Sequence, residues 1–144
     1  MSPQTYRFAA EEHATAAFLL LGERRFVLAH YVAGLAVECI IRAYRTRLSA
    51  VFDERHDLYE LARAARFFEL FPANRAPALS AAFGIVVAQW VNTHRFRSEA
   101  SLRKFLTEHR LFRGIKGDLL AARSRMIVNA AWELVNIGVS KWQP

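Results

Sequence analysis

The chain is predicted to be all-α, an antiparallel bundle of five or six helices forming one domain over residues 1–144. Three observations predict it. Apolar residues recur at helical spacing along most of the length, and no stretch keeps the alternation of a strand. No repeat, low-complexity tract or linker divides the sequence. With 53% hydrophobic and 23% charged residues, a chain of this length can bury one ordinary core.

The first helix is expected from about Tyr6 to Leu21, with Ala9, His13, Ala16, Ala17 and Leu20 inward and Gly22 as its breaker. The second is expected from about Glu23 to Leu48. Phe26, Ala29, Ala33, Val37, Ile40 and Tyr44 share one face, and Val27, Tyr31, Leu35 and Ile41 form a second apolar set. A helix apolar on nearly all sides is central in its bundle or lies at a subunit interface; the second option predicts a homodimer. Asp57 caps a third helix, Leu58 to about Leu70, which Pro72 closes. Leu58, Leu61, Ala65 and Phe68 face inward there, and Glu60, Arg63 and Arg66 face water. Pro77 opens a fourth helix ending near Trp90. The uncharged stretch Ala76 to His94 is too polar for a membrane span and reads as a buried helix with its loop. Asn92 to Arg97 form a connection, and Ser98 caps a fifth helix to about Arg110. Gly114 and Gly117 bracket a turn. Asp118 caps a last helix to about Lys141, with Leu120, Ile127, Ala131 and Leu134 as its core stripe.

The second helix carries a carboxylate in its middle. Burying Glu38 unpaired would cost several kcal/mol, so a partner is required. Arg42, one turn on, is the simplest. Alternatively Arg95 or His56 comes from another segment to meet Glu38 and frames a small polar pocket. His56 also has a plainer role, supporting the helix start at Asp57. His30 is read as a satisfied buried histidine, and Cys39 as a buried, inert thiol. Trp90, Phe96 and Trp142 could stack on bases but read better as core filling.

A single cysteine excludes an intramolecular disulfide and a cysteine-rich zinc site. There is no phosphate-binding glycine loop, no metal-ligand cluster and no serine or cysteine nucleophile setting, so neither cofactor nor metal is expected. Glu11 and Glu12 precede the apolar run Ala14 to Gly22, where a signal peptide wants positive charge; a cytoplasmic protein away from membranes is expected. The net charge of +7 is uneven. Between Arg95 and Arg125, nine basic residues face only Glu99, Glu108 and Asp118, which places six of the seven net charges there. Such concentration points to a polyanion, and Arg95, Arg97, Arg103, Lys104, Arg110 and Arg113 are the expected contact surface.

Three short segments occur in order: Ala36-Val37-Glu38-Cys39, His56-Asp57-Leu58, and Trp90 followed by His94-Arg95-Phe96. Together they resemble a subgroup of the HEPN-domain family, with Phe96 where the family's motif has tyrosine. The resemblance spans about Glu12 to Arg97; from Ser98 to Trp142 the chain is similar only as a helical tail. It implies an antiparallel, often dimeric bundle. Some members pair with a small nucleotidyltransferase in toxin–antitoxin systems. Others are metal-independent RNases whose arginine and histidine, four to six residues apart in a late helix, act across a dimer. Still others are non-catalytic binding modules.

Arginine–histidine spacings of that kind occur at Arg7–His13, Arg24 or Arg25–His30, and Arg103–His109. Such a site would use imidazole to move a proton near a 2′-hydroxyl while arginine steadies the phosphorane. Arg103 and His109 are the best pair because they lie in the basic segment, but the last helix contains no histidine. The expectation is therefore a non-catalytic module whose partner is a nucleotidyltransferase-type protein, an RNA or a nucleotide. The competing expectation is an RNase using Arg103 and His109.

Overall fold

The computed structural model describes residues 1–143. Six α-helices follow in order: α1 (Pro3–Gly22), α2 (Phe26–Leu48), α3 (Leu58–Ala64), α4 (Ala76–Gln89), α5 (Glu99–Glu108) and α6 (Leu119–Ser140). Short 3₁₀ turns cover Phe67–Leu70 and Asn92–Phe96, and no strand occurs among the described residues. The all-α bundle follows from the apolar periodicity.

Capping sets the helix starts. The side chains of Asp57, Ser98 and Asp118 accept from the backbone N–H of Glu60, Ser101 and Ala121 at 3.0, 3.2 and 2.9 Å. Ser2 does the same for α1, so that helix begins before Tyr6. The ends differ more from expectation. Gly22 is the last helical residue of α1, and the chain reverses at Arg24, whose φ of 60° lets Arg25 N–H reach Leu20 O at 3.0 Å. The second helix consequently starts at Phe26, not Glu23. Arg66, at φ 56°, splits the expected third helix into α3 and the 3₁₀ turn. Arg110, at φ 57°, ends α5, with Leu111 N–H on Leu106 O at 2.8 Å.

Of the 23 residues of α2, 12 are buried, so its all-round apolarity is consumed inside the monomer by α1, α6 and α3. The interface option raised by its sequence is not needed. α2 is also long and apolar enough to cross a bilayer by composition, yet most of that stretch faces protein. Its seam with α1 uses Ala10, Ala14 and Ala17; of the expected stripe Ala17 is buried, and Ala9, His13, Ala16 and Leu20 are half-buried beside it. Trp90 lies directly on Gly34, where a Cβ would fall inside the indole, and its Nε1–H donates to Tyr31 O at 3.0 Å. Gly138 of α6 likewise admits Ile40, and Tyr44 donates its hydroxyl to Gly138 O at 2.7 Å. A smaller core of Leu102, Phe105, Leu106 and Leu120 joins α5 to α6 beneath Phe26 and Val27.

α4 departs from the sequence reading. Leu79, Phe83 and Val86 are buried, but Ala78, Ser80, Ala81, Gly84 and Val87 are exposed. The uncharged stretch is therefore half-buried, not buried. Phe96 is a second correction: it is 75% exposed and fills no core, whereas Trp90 does.

Candidate functional site

The internal anchor forms near the C-terminal end of α2. Glu38 is buried, and its Oε1 accepts from Arg42 Nε at 2.8 Å and from His56 Nδ1–H at 3.1 Å. Arg42 extends the network: its terminal nitrogens donate to Asp53 O and Arg55 O, both at 2.7 Å, and its guanidinium lies over Phe52 at 5.1 Å. One buried cation thus pins the connection between α2 and α3 onto α2. Asp53 adds a second knot by accepting from Arg45 and Arg55, and the Arg55 guanidinium foremost holds its carboxyl below the usual range. Burial, followed by Glu38, pushes the Cys39 thiol up to about 12, leaving it unreactive. Arg42, one turn on, and His56, from another segment, meet Glu38 together and share one oxygen. Arg95 does not join them. It is exposed on the Asn92–Phe96 turn with its guanidinium 4.6 Å from the Phe96 ring.

A different polar cluster lies near the N-terminal end of α2. His30 Nε2–H donates to Gln89 O at 2.8 Å, and His94 Nδ1 accepts from Val91 N–H at 3.4 Å. These partners leave His30 Nδ1 an acceptor and His94 Nε2–H a donor, with ring centroids 5.5 Å apart. Burial lowers His30 to about 4 and, with His30 as second cause, His94 to about 3, so both are neutral. Sequence reasoning foresaw His30 but missed His94, which sits in a loop-like segment without periodicity.

Beyond this cluster the chain exposes its cations. The α1–α2 turn, the start of α5 and the start of α6 meet around a groove of about 250 Å³ lined by Arg24, Arg25, Glu99 and Leu120. Ser124 ties α6 to α2 by donating to Phe26 O at 3.3 Å, and Arg123 donates to Leu111 O. The expected basic surface divides in two. Arg103 is neutralised by Asp118 at 2.6 Å and Glu99 at 3.0 Å, which raise its pKa in that order. Lys104 pairs loosely with Glu108 at 3.8 Å, and Arg97 lies over Phe105 at 5.0 Å while donating to Ser101 O. Arg24, Arg25, Arg110, Arg113 and Lys116 are exposed and form no ion pair within 4.0 Å among the described residues. Arg24 adds only weakly to the hold that Arg103 foremost has on the Asp118 carboxyl.

The Arg103–His109 pair is not assembled within one chain. Six residues on an α-helix turn the side chain by about 240°, which sets the two on different sides of α5. His109 instead caps the helix end, donating Nδ1–H to Phe105 O at 2.8 Å with its ring 4.0 Å from that of Phe105.

Two of the family-like segments meet through the Glu38–His56 bond, and the third places Trp90 on Gly34 of the same helix. Comparison with protein-family models, with curated proteins and with solved structures finds no match for this chain.

Proposed function

We propose that the chain is a HEPN-like helical module that binds RNA without cleaving it, through the end where the α1–α2 turn and the α5–α6 connection expose their arginines. One observation carries this reading. Three helix ends hold arginine in the left-handed conformation; Arg66 is tied to Glu69, whereas Arg24 and Arg110 form no ion pair within 4.0 Å among the described residues. A side chain there costs about 1 kcal/mol relative to glycine, and Arg24 recovers part of it by lying 5.4 Å over the Phe26 ring. Guanidinium groups placed this way are suited to bidentate contact with phosphate oxygens. Exposed Phe112 on the α5–α6 connection and exposed Phe96 on the Asn92–Phe96 turn offer flat faces for unpaired bases.

The non-catalytic part rests on the fate of the alternative pair. Arg103 already faces two carboxylates, and His109 is occupied with a helix-end carbonyl. The test is fluorescence anisotropy with a single-stranded RNA in EDTA across a salt series, with gel analysis of the same samples. Binding that weakens steeply with salt, with intact RNA, is the expected result. Cleavage abolished by His109→Ala would replace this reading with the RNase one. An absence of binding would redirect the search to a nucleotidyltransferase-type protein partner.

A further inference from the structure

We propose that the groove beside the α1–α2 turn reads a guanine base of single-stranded RNA, with Glu99 as the residue that selects it. The inference rests on the RNA-binding reading and goes beyond it, since contacts to phosphates carry no sequence information. The groove measures about 250 Å³ and is lined by Arg24, Arg25, Phe26, Glu99 and Leu120 among others. That is smaller than the roughly 300–1,000 Å³ of pockets for drug-sized ligands, and it suits one flat ring system. Leu120 is fully buried and Phe26 half-buried, which gives the groove an apolar lining. Arg24 lies 5.4 Å over the Phe26 ring, and its guanidinium presents a plane on which a base stacks.

The carboxylate selects the base. Arg103 engages Glu99 through Oε1 alone, with Nε at 3.3 Å and a terminal nitrogen at 3.0 Å. The other terminal nitrogen of Arg103 donates to Asp118 at 2.6 Å, so the guanidinium bridges the two acids and fixes the Glu99 side chain. Ser98, not Glu99, caps the start of α5. Glu99 Oε2 therefore takes no hydrogen bond among the described residues and keeps both lone pairs. An oxygen that only accepts matches two donors set side by side. Among the four RNA bases guanine alone has them on its Watson–Crick edge, N1–H beside the N2 amine. In adenine and cytosine the amine adjoins an accepting ring nitrogen, and in uracil N3–H lies between two carbonyls. Each of these sets lone pairs against the carboxylate. The other edge of guanine, O6 with N7, accepts paired N–H groups from an arginine. Arg25 lines the same groove without an ion pair and supplies them. A phosphate in the groove would meet the charge of Glu99, so the base enters there while Arg110, Arg113 and Lys116 follow the backbone.

Fluorescence anisotropy with short oligouridines that differ only in one central base, guanine, adenine, cytosine or uracil, tests this. The guanine strand should bind the parent chain about tenfold more tightly than the other three, near the low end for one well-matched pair. Inosine in place of guanine lacks only the N2 amine and should weaken binding to the parent chain. In Glu99→Gln the preference for guanine should fall to about twofold and the inosine effect should vanish, because an amide adds donors where the base needs an acceptor. A Glu99 that merely supports α5 would shift all four affinities together. Equal affinities for the four strands overturn the inference and leave RNA binding standing, whereas no binding to any strand removes both. A guanine preference that survives in Glu99→Gln also overturns it. Guanosine monophosphate serves as competitor: displacement at the concentration at which the guanine strand itself competes would assign the groove to a free nucleotide and overturn the RNA form.

Discussion

At the C-terminal end of α2, Arg42, Arg45 and Arg55 all close on the carboxylates and carbonyls of one network. Around its N-terminal end, Arg24, Arg25, Arg110 and Arg113 close on no acid among the described residues. The residue type is the same, and the difference is the local supply of acids. Glu38 stands one helical turn before Arg42, and Asp53 two residues before Arg55, whereas no acid occurs between Glu108 and Asp118. Glu23, next to Arg24, pairs with neither Arg24 nor Arg25 because the chain reverses there. Arginine becomes a structural tie where a carboxylate is within reach and an outward cation where none is. A basic composition by itself does not separate the two.

Breaking the tied end should have the largest effect. Glu38→Ala strands the buried Arg42 guanidinium and should cost about 3–5 kcal/mol in urea unfolding. Glu38→Gln keeps the shape and an acceptor for His56 and should cost less than the alanine variant. A loss below about 1 kcal/mol for Glu38→Ala would place this pair with surface ion pairs and remove the contrast.

Acid should attack the opposite end first. His30 and His94 are lowered from 6.5 to about 4 and about 3, so they are neutral in the fold while the unfolded chain takes up protons below pH 6.5. Stability is then fully present above 6.5 and declines as the pH falls toward the folded values. For His30 alone a loss on the order of 3 kcal/mol is expected between pH 6.5 and 4, measured as unfolding free energy against pH, and His94 adds to it. The Asp53 carboxyl is held below its usual range, foremost by Arg55, and stays ionised across that window, so Asp53 does not contribute to the loss. In His94→Asn the slope should become shallower.

Much of this contrast is legible in the sequence, for definite reasons. The Glu38–Arg42 pair follows from one-turn spacing within an apolar helix, and His56 joins it because Asp57 fixes the start of α3 beside α2. The position of Arg95 is not legible, because a loop residue has no periodicity to fix its direction, and the Asn92–Phe96 turn points it outward over Phe96. The split of the third helix at Arg66 is hidden because no glycine or proline marks it. Which basic side chains are neutralised depends on long-range approach: Asp118 reaches Arg103 only because α5 folds back on α6. An uncharged helix such as α4 resembles a core helix in sequence, and only the packing reveals its uncovered side.

The free cations are tested more finely by binding. Replacing Arg110, Arg113 and Lys116 by alanine removes three groups that have no acid partner among the described residues, without touching a core side chain. The slope of log affinity against log salt should fall by about two units, roughly 0.7 for each single-strand phosphate that is no longer neutralised. An unchanged slope would mean that these outward arginines meet no polyanion.

Arg103 sharpens the comparison most, with the smallest effect. It lies in the same basic segment as Arg110 and Arg113, yet it is tied to Asp118 and Glu99. Arg103→Ala should reduce stability by less than about 1 kcal/mol, because both pairs are partly exposed and water screens them. It should also leave the salt slope of RNA binding close to that of the parent chain. A guanidinium shared between two carboxylates displaces few counterions from a phosphate backbone. If Arg103→Ala reduced the slope as much as Arg113→Ala, pairing within the chain would not decide which arginines face the ligand, and the distinction drawn between the two ends of α2 would fail at its basic end.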